Sequence, residues 1–182
     1  MTARVFGIAA SLVLSANLAL AATADPKNLQ VFNDVSKAVN HYALFSIFDD
    51  VQANVKDGVV TLTGKVTMPY KSEAIEKRVT KVPGVLAVHN RIDVLPVSRF
   101  DDQLRVRIAR TIYSNPNFWN YGLGPNPSIH VIVDHGHVTL TGVVLNNTDR
   151  VIARSLVTHF GVMSVVNDLK TEAEVKEALE KL

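Results

Sequence analysis

Apolar residues recur along this chain in two blocks that share one rhythm. In the first, Val31, Val35, Val39 and Tyr42 return at helical spacing after Asp25-Pro26, which supplies an N-cap and a first-turn proline. Asp57-Gly58 then marks a tight hairpin turn. With those two residues as the turn, Lys56 opposes Val59, Val55 opposes Val60 and Ala53 opposes Leu62, which puts Ala53, Val55, Val60 and Leu62 on one side of the ribbon. Gln52, Asn54, Lys56, Thr61 and Thr63 fall on the other, so one side is predicted to be core and the other wet. Pro69 opens a second helix carrying Ala74, Ile75 and Val79, Pro83-Gly84 ends it, and Val85, Val88, Ile92 and Val94 form a closing strand.

The second block repeats the order. Ser98-x-x-Asp101 resembles a capping box and opens a helix with Leu104, Ile108 and Ile112. His135-Gly136 takes the turn position. Val131, Val133, Val138 and Leu140 make the core side; His130, Ile132, Asp134, His137, Thr139 and Thr141 make the wet one. After Leu169, Thr171-x-x-Glu174 caps a last helix over 171–182, about three turns long, too short to hold in water unless docked.

The blocks are copies of one unit. Gly58-Val-Val-Thr-Leu-Thr-Gly64 matches Gly136-His-Val-Thr-Leu-Thr-Gly142 at six of seven positions. Gly84-Val85-x-x-Val88-x-Asn90-x-Ile92 matches Gly161-Val162-x-x-Val165-x-Asn167-x-Leu169 in the same order. The expected fold is therefore α+β: two tandem αββαβ modules, over 27–95 and 99–169, each a three-stranded mixed sheet on two helices, followed by a short C-terminal helix. Leu95-Pro96-Val97-Ser98 joins them. Ahead of the repeats, residues 1–24 read as a secretory signal peptide, with Arg4, an apolar stretch from Val5 to about Leu20 broken by Ser11, Ser15 and Asn17, and A-x-A sites ending at Ala21 and Ala24. That stretch falls short of the roughly 20 apolar residues needed to span a bilayer. The mature start is expected at Asp25, with Ala22 the alternative, and the mature chain is expected to be periplasmic or secreted.

The repeated G-x-V-x-L-x-G hairpin, followed by a helix and G-V-x-x-V-x-N, resembles the BON domain, a family of small α/β modules found in osmotically induced periplasmic proteins and envelope lipoproteins. The resemblance maps the family's recurring positions onto Gly58, Gly64, Gly84, Val85 and Asn90, and onto Gly136, Gly142, Gly161, Val162 and Asn167, all scaffold positions. The second copy departs in having Phe160 where the first has Pro83 and a longer connection before its first strand. The resemblance implies a non-enzymatic module that contacts anionic phospholipid or other envelope components and supports stress tolerance.

Composition narrows the chemistry. With no cysteine, disulfide scaffolds, thiolate metal sites and thiol catalysis are out. A net charge of +2 gives no field strong enough to hold nucleic acid. No hydrolase, zincin or phosphate-loop motif occurs, so neither an enzyme nor a cofactor is expected. His130, His135 and His137 are close in sequence, but His130 opposite Thr141 lies four residues along the strand from His137, about 13 Å, too far to share a metal. A surface-strand histidine set is the expectation, with no metal.

The charges are unevenly placed. Residues 98–169 hold six Arg, no Lys, no Glu and five Asp, whereas 25–97 hold seven Lys and two Arg. Arg99, Arg107 and Arg110 fall within about 80° on one helix and could present a guanidinium face to phosphate, unless Asp101 or Asp102 pairs with them. The stretch Ser114–Ser128, with three Pro, four Asn and Phe118, Trp119 and Tyr121, is the least ordinary part of the chain. Trp119 and Tyr121 beside arginine suit a membrane interface or a partner surface, whereas covering the open side of the sheet or the junction between the units is the favoured alternative for Phe118 and Tyr121. The candidate site is thus Arg99, Arg107, Arg110, Trp119 and Tyr121, binding anionic phospholipid. The alternative is a protein-binding or chaperone-like envelope module, or a glycan binder, with no lipid affinity.

Overall fold

The computed structural model describes residues 26–123 and 126–180; the segment 1–24, read above as a signal peptide, and the expected Asp25 cap lie outside them. The first unit runs α1 (Pro26–Asn40), β1 (Asp50–Lys56), β2 (Val59–Val66), α2 (Pro69–Val79) and β3 (Ala87–Val94). The second runs α3 (Arg99–Tyr113), β4 (Ile129–Asp134), β5 (His137–Val144), α4 (Asn147–Val157), β6 (Ser164–Asn167) and β7 (Lys170–Thr171), followed by α5 (Glu172–Glu180). In each unit an antiparallel hairpin is extended by a parallel strand, in the orders β1-β2-β3 and β4-β5-β6.

The hairpin register is the predicted one, with Val55 opposite Val60 and Ala53 opposite Leu62, and His130 opposite Thr141. Both turns are two residues at positive φ, Asp57-Gly58 at 52° and 75°, His135-Gly136 at 51° and 77°. That pair of left-handed conformers matches the twist of the flanking strands. The second sheet departs from three strands. Asp168 and Leu169 interrupt the closing strand, Leu169 turns into the core, and β7 rejoins β5 as a fourth strand.

Each unit has its own core. Val35, Val60, Leu62, Val66, Ile75 and Val79 close the first. Leu104, Ile108, Ile112, Val131, Val133, Val138 and Leu140 belong to the second, together with Phe118. The last helix docks in cis: Thr171 Oγ1 accepts from Glu174 N at 3.2 Å, Glu174 accepts from Thr171 N at 2.8 Å, and Arg150 pairs with Glu174 at 2.9 Å. The capping box predicted there is reciprocal.

The two units touch along one seam. The segment between α1 and β1 lies on the outer edge of β4, where Val131 N donates to Ile47 O at 2.7 Å, and Ile47 and Phe48 pack against the second core. This overturns the wet-face assignment of three residues. His130, Ile132 and Thr141 are buried, because the first unit covers the side of the second sheet that alternation alone leaves open. His130 is thus a seam residue and not part of a surface set. Its Nδ1–H donates to the Asp49 carbonyl at 2.6 Å, and its ring lies 5.6 Å from Phe45.

Burial pushes His130 below the ordinary imidazole pKa, against the opposing pull of the Asp49 carbonyl and the nearby Asp50 and Asp49 carboxylates. A buried neutral histidine stabilises the fold fully above the unfolded value near 6.5 and loses that contribution as pH falls below it, since the unfolded chain takes up the proton first. Burial raises Asp50 in turn, so its own effect has the opposite sign. The wild type is therefore expected to lose more stability than His130→Gln between pH 7.5 and 5.5, by at most about 1.4 kcal/mol per pH unit, in urea unfolding. Equal losses would contradict a neutral His130 in the seam.

Candidate functional site

The candidate face is the outer side of α3. Ser98 caps this helix, its hydroxyl accepting from Asp101 N at 3.2 Å. Leu104, Ile108 and Ile112 point into the second core, and two charged residues share that buried side. Asp101 turns away from the helix to accept from His135 N at 3.0 Å and Gly136 N at 2.9 Å, so it ties the helix start to the hairpin turn. Arg105 donates to the Val133 carbonyl at 2.6 Å and pairs with Asp102 at 2.5 Å. Both acidic residues that could have neutralised the outer arginines are thereby engaged elsewhere.

Arg99, Arg107 and Arg110 are exposed, and among the described residues none is in an ion pair. Since α3 begins at Arg99, all three lie within about 80° on its surface. Phe100 and Val106 are exposed among them, and Met163, 76% exposed, joins Phe100 around Gly136 at the hairpin tip. The Arg107 guanidinium sits 5.9 Å over the Phe160 ring, which orients one cation. Sequence reasoning missed Phe100, Val106 and Met163. Their only signal was that they fall outside the core spacing of α3 and of the closing strand.

The segment after α3 divides its aromatic residues. Phe118 is fully buried, and Tyr121 is 6% exposed. The Tyr121 hydroxyl donates to Asp149 at 2.5 Å and accepts from Leu145 N at 2.8 Å, and burial together with the Asp149 acceptor pushes it up to about 12. Tyr121 is therefore not available as a surface group and drops out of the candidate site, and the covering role that the sequence offered as the alternative for Phe118 and Tyr121 is the one observed. It pins a long connection that would otherwise carry little core. Trp119, in the short 3-10 turn Trp119–Gly122, is 61% exposed. Tyr121→Phe is expected to cost about 1 to 2 kcal/mol by leaving Leu145 N and Asp149 without this partner, with vesicle binding unchanged. A stability change below about 0.3 kcal/mol would contradict the pinning role.

The repeated motif positions build the scaffold. Gly58 and Gly136 form the turns, and their carbonyls accept from Leu86 N at 2.8 Å and Met163 N at 2.9 Å. Gly84 and Gly161 adopt positive φ where helix gives way to strand, and Val85 and Val162 pack against the two cores. Asn90 donates to Ser72 Oγ and Glu76, both at 2.9 Å, and Asn167 donates to the Arg150 carbonyl at 2.8 Å, so each stitches the closing strand to the preceding helix. No group of three His, Asp or Glu side chains converges to hold a metal among the described residues. No described helix is long and apolar enough to cross a membrane.

Comparison with protein families matches the BON domain twice, over residues 34–96 and 100–181. The chain belongs to the BON domain family. The first match begins within α1 and runs through its hairpin, α2 and β3, and the second runs from the first turn of α3 through its hairpin, α4 and closing strands and takes in α5. The BON family is non-catalytic, which fits a chain whose repeated residues all serve the scaffold. No curated protein matches the chain. Among solved structures, CdsD, a structural protein of the type III secretion system of Chlamydia trachomatis, is 14% identical, with 83% of this chain and 97% of that one covered and a TM-score of 0.28. The C-terminal domain of CdsD is 13% identical, covering 75% and 94%, with a TM-score of 0.27.

Proposed function

We propose that this tandem BON protein is exported to the cell envelope and binds anionic phospholipid surfaces through the outer face of α3, supporting envelope integrity under stress without catalysing a reaction. The observation that carries this reading is the set of three exposed arginines, none in an ion pair among the described residues, with Phe100, Val106 and Met163 beside them. Guanidinium groups hold phosphate in bidentate fashion, and exposed apolar side chains at the same level enter the headgroup boundary. The first unit carries mostly lysines, seven against two arginines over residues 25–97, and lysines are strongly hydrated and grip phosphate less directly. With a net charge of only +2, attraction rests on local placement. The leader-like residues 1–24 support export.

Co-sedimentation with vesicles at low and high salt tests this. Binding to anionic but not zwitterionic vesicles, falling as salt rises, is the expected result. No binding to either kind of vesicle would contradict it and favour a protein-binding or chaperone-like module, or a glycan binder.

A further inference from the structure

The polar sides of the two sheets face each other across a cleft of about 720 Å³ at the seam between the units. Its size falls in the range of small-molecule sites, roughly 300 to 1,000 Å³, and domain junctions are where such sites gather. Three carboxylates line it, Asp50, Asp134 and Asp168, against one ammonium, Lys65. Lys65 is already taken by Asp134 across the seam. Asp50 and Asp168 are left without an ion-pair partner among the described residues. The Thr141 hydroxyl also lines the cleft; it is buried beside Asp50 and closes no hydrogen bond of ordinary geometry.

We propose that this cleft binds a small hydrophilic organic cation of the polyamine class, with one ammonium group between Asp50 and Asp168 and within reach of the Thr141 hydroxyl. An ammonium is compact, brings three donors and matches two carboxylates and a hydroxyl acceptor. Burial raises the Asp50 carboxyl and the Asp168 charge adds to that, while His130, Gln52 and Thr141 act the other way; a bound cation would act in the lowering direction as well. Two other occupants fit less well. A metal ion lacks a converging ligand set. A sugar lacks a stacking platform, since no Phe, Tyr or Trp lines the cleft. The site is opposite in charge to the arginine face and independent of it.

The test is a titration of the full protein with spermidine at low ionic strength and pH 7.5, followed by calorimetry and amide NMR, with sorbitol and Mg²⁺ as comparators. Saturable binding of one spermidine, shifts centred on Asp50, Thr141 and Asp168, and a loss of at least about tenfold in Asp50→Asn and in Asp168→Asn are expected. Thermal unfolding of both variants shows whether they remain folded, and Asp168→Asn, at an exposed position, keeps the test valid if Asp50→Asn does not. No saturable binding, an equal response to Mg²⁺ or sorbitol, or spermidine affinity unchanged in a folded variant would overturn the proposal.

Discussion

Replacing Gly142 with alanine is expected to destabilise the protein by at least about 3 kcal/mol in urea unfolding, whereas Gly161→Ala should cost only about 1 to 2 kcal/mol. Both glycines belong to the repeated motif and both have positive φ, 117° and 67°. Their surroundings differ. A Cβ at Gly142 would stand 1.9 Å from the Ser128 carbonyl oxygen, which is itself held by Val143 N at 3.0 Å, so neither backbone can withdraw without opening the start of β4. At Gly161 nothing lies within 4 Å of the added carbon, and only the left-handed backbone is strained. The first unit repeats the arrangement, with Gly64 against the Asp50 carbonyl at 2.2 Å. Equal costs at 142 and 161 would contradict the close approach as the reason for the second glycine of the motif.

Asp49→Ala should cost roughly 3 to 5 kcal/mol, the usual effect of stranding one partner of a buried ion pair. Asp49 is fully buried. It pairs with Lys71 at 2.6 Å and accepts from Ser46 N and Oγ at 2.8 and 2.7 Å and from Thr67 N and Oγ1 at 2.8 and 2.9 Å. Burial by itself would raise this carboxyl, but Lys71 and the Thr67 and Ser46 donors outweigh it and hold it below the usual range. Its contribution is therefore present above the unfolded value, about 3.9, and is lost only as pH falls below that. The same cluster shapes the segment that offers the Ile47 and Asp49 carbonyls to the second unit, so the substitution should also loosen the seam. Asp49→Ala/Lys71→Met, which removes both charges, is expected to recover part of the loss. A single substitution costing under 1 kcal/mol, or a double variant no better than it, would contradict this account.

What could be read from the sequence was what local geometry decides. Hairpin register followed from turn chemistry and the two-residue period, and the grouping of Arg99, Arg107 and Arg110 followed from the helical repeat. Docking was beyond reach. Alternation places His130, Ile132 and Thr141 on an open side, and only the arrival of the segment before β1 buries them. Lys71 lies one helical turn before the core residue Ile75 and gives no sign that a buried partner waits at Asp49, 22 positions away. Tyr121 is indistinguishable by type from an interfacial tyrosine; its partners, Asp149 and Leu145, come from the end of the second hairpin and from α4. Phe100 and Met163 are exposed because the turn glycine between them offers no side chain to cover them.

The most direct test of the central claim compares two variants that lose the same three positive charges. Arg99→Gln/Arg107→Gln/Arg110→Gln empties the α3 face, and Lys56→Gln/Lys77→Gln/Lys81→Gln removes three exposed lysines from the first unit. Partitioning onto anionic vesicles at low salt is the measurement. At about 1 kcal/mol per basic residue near an anionic surface, the arginine variant should bind on the order of 100-fold more weakly than wild type, and the lysine variant within about threefold of it. Equal losses in the two variants, or an arginine variant that binds like wild type, would contradict a binding face on α3.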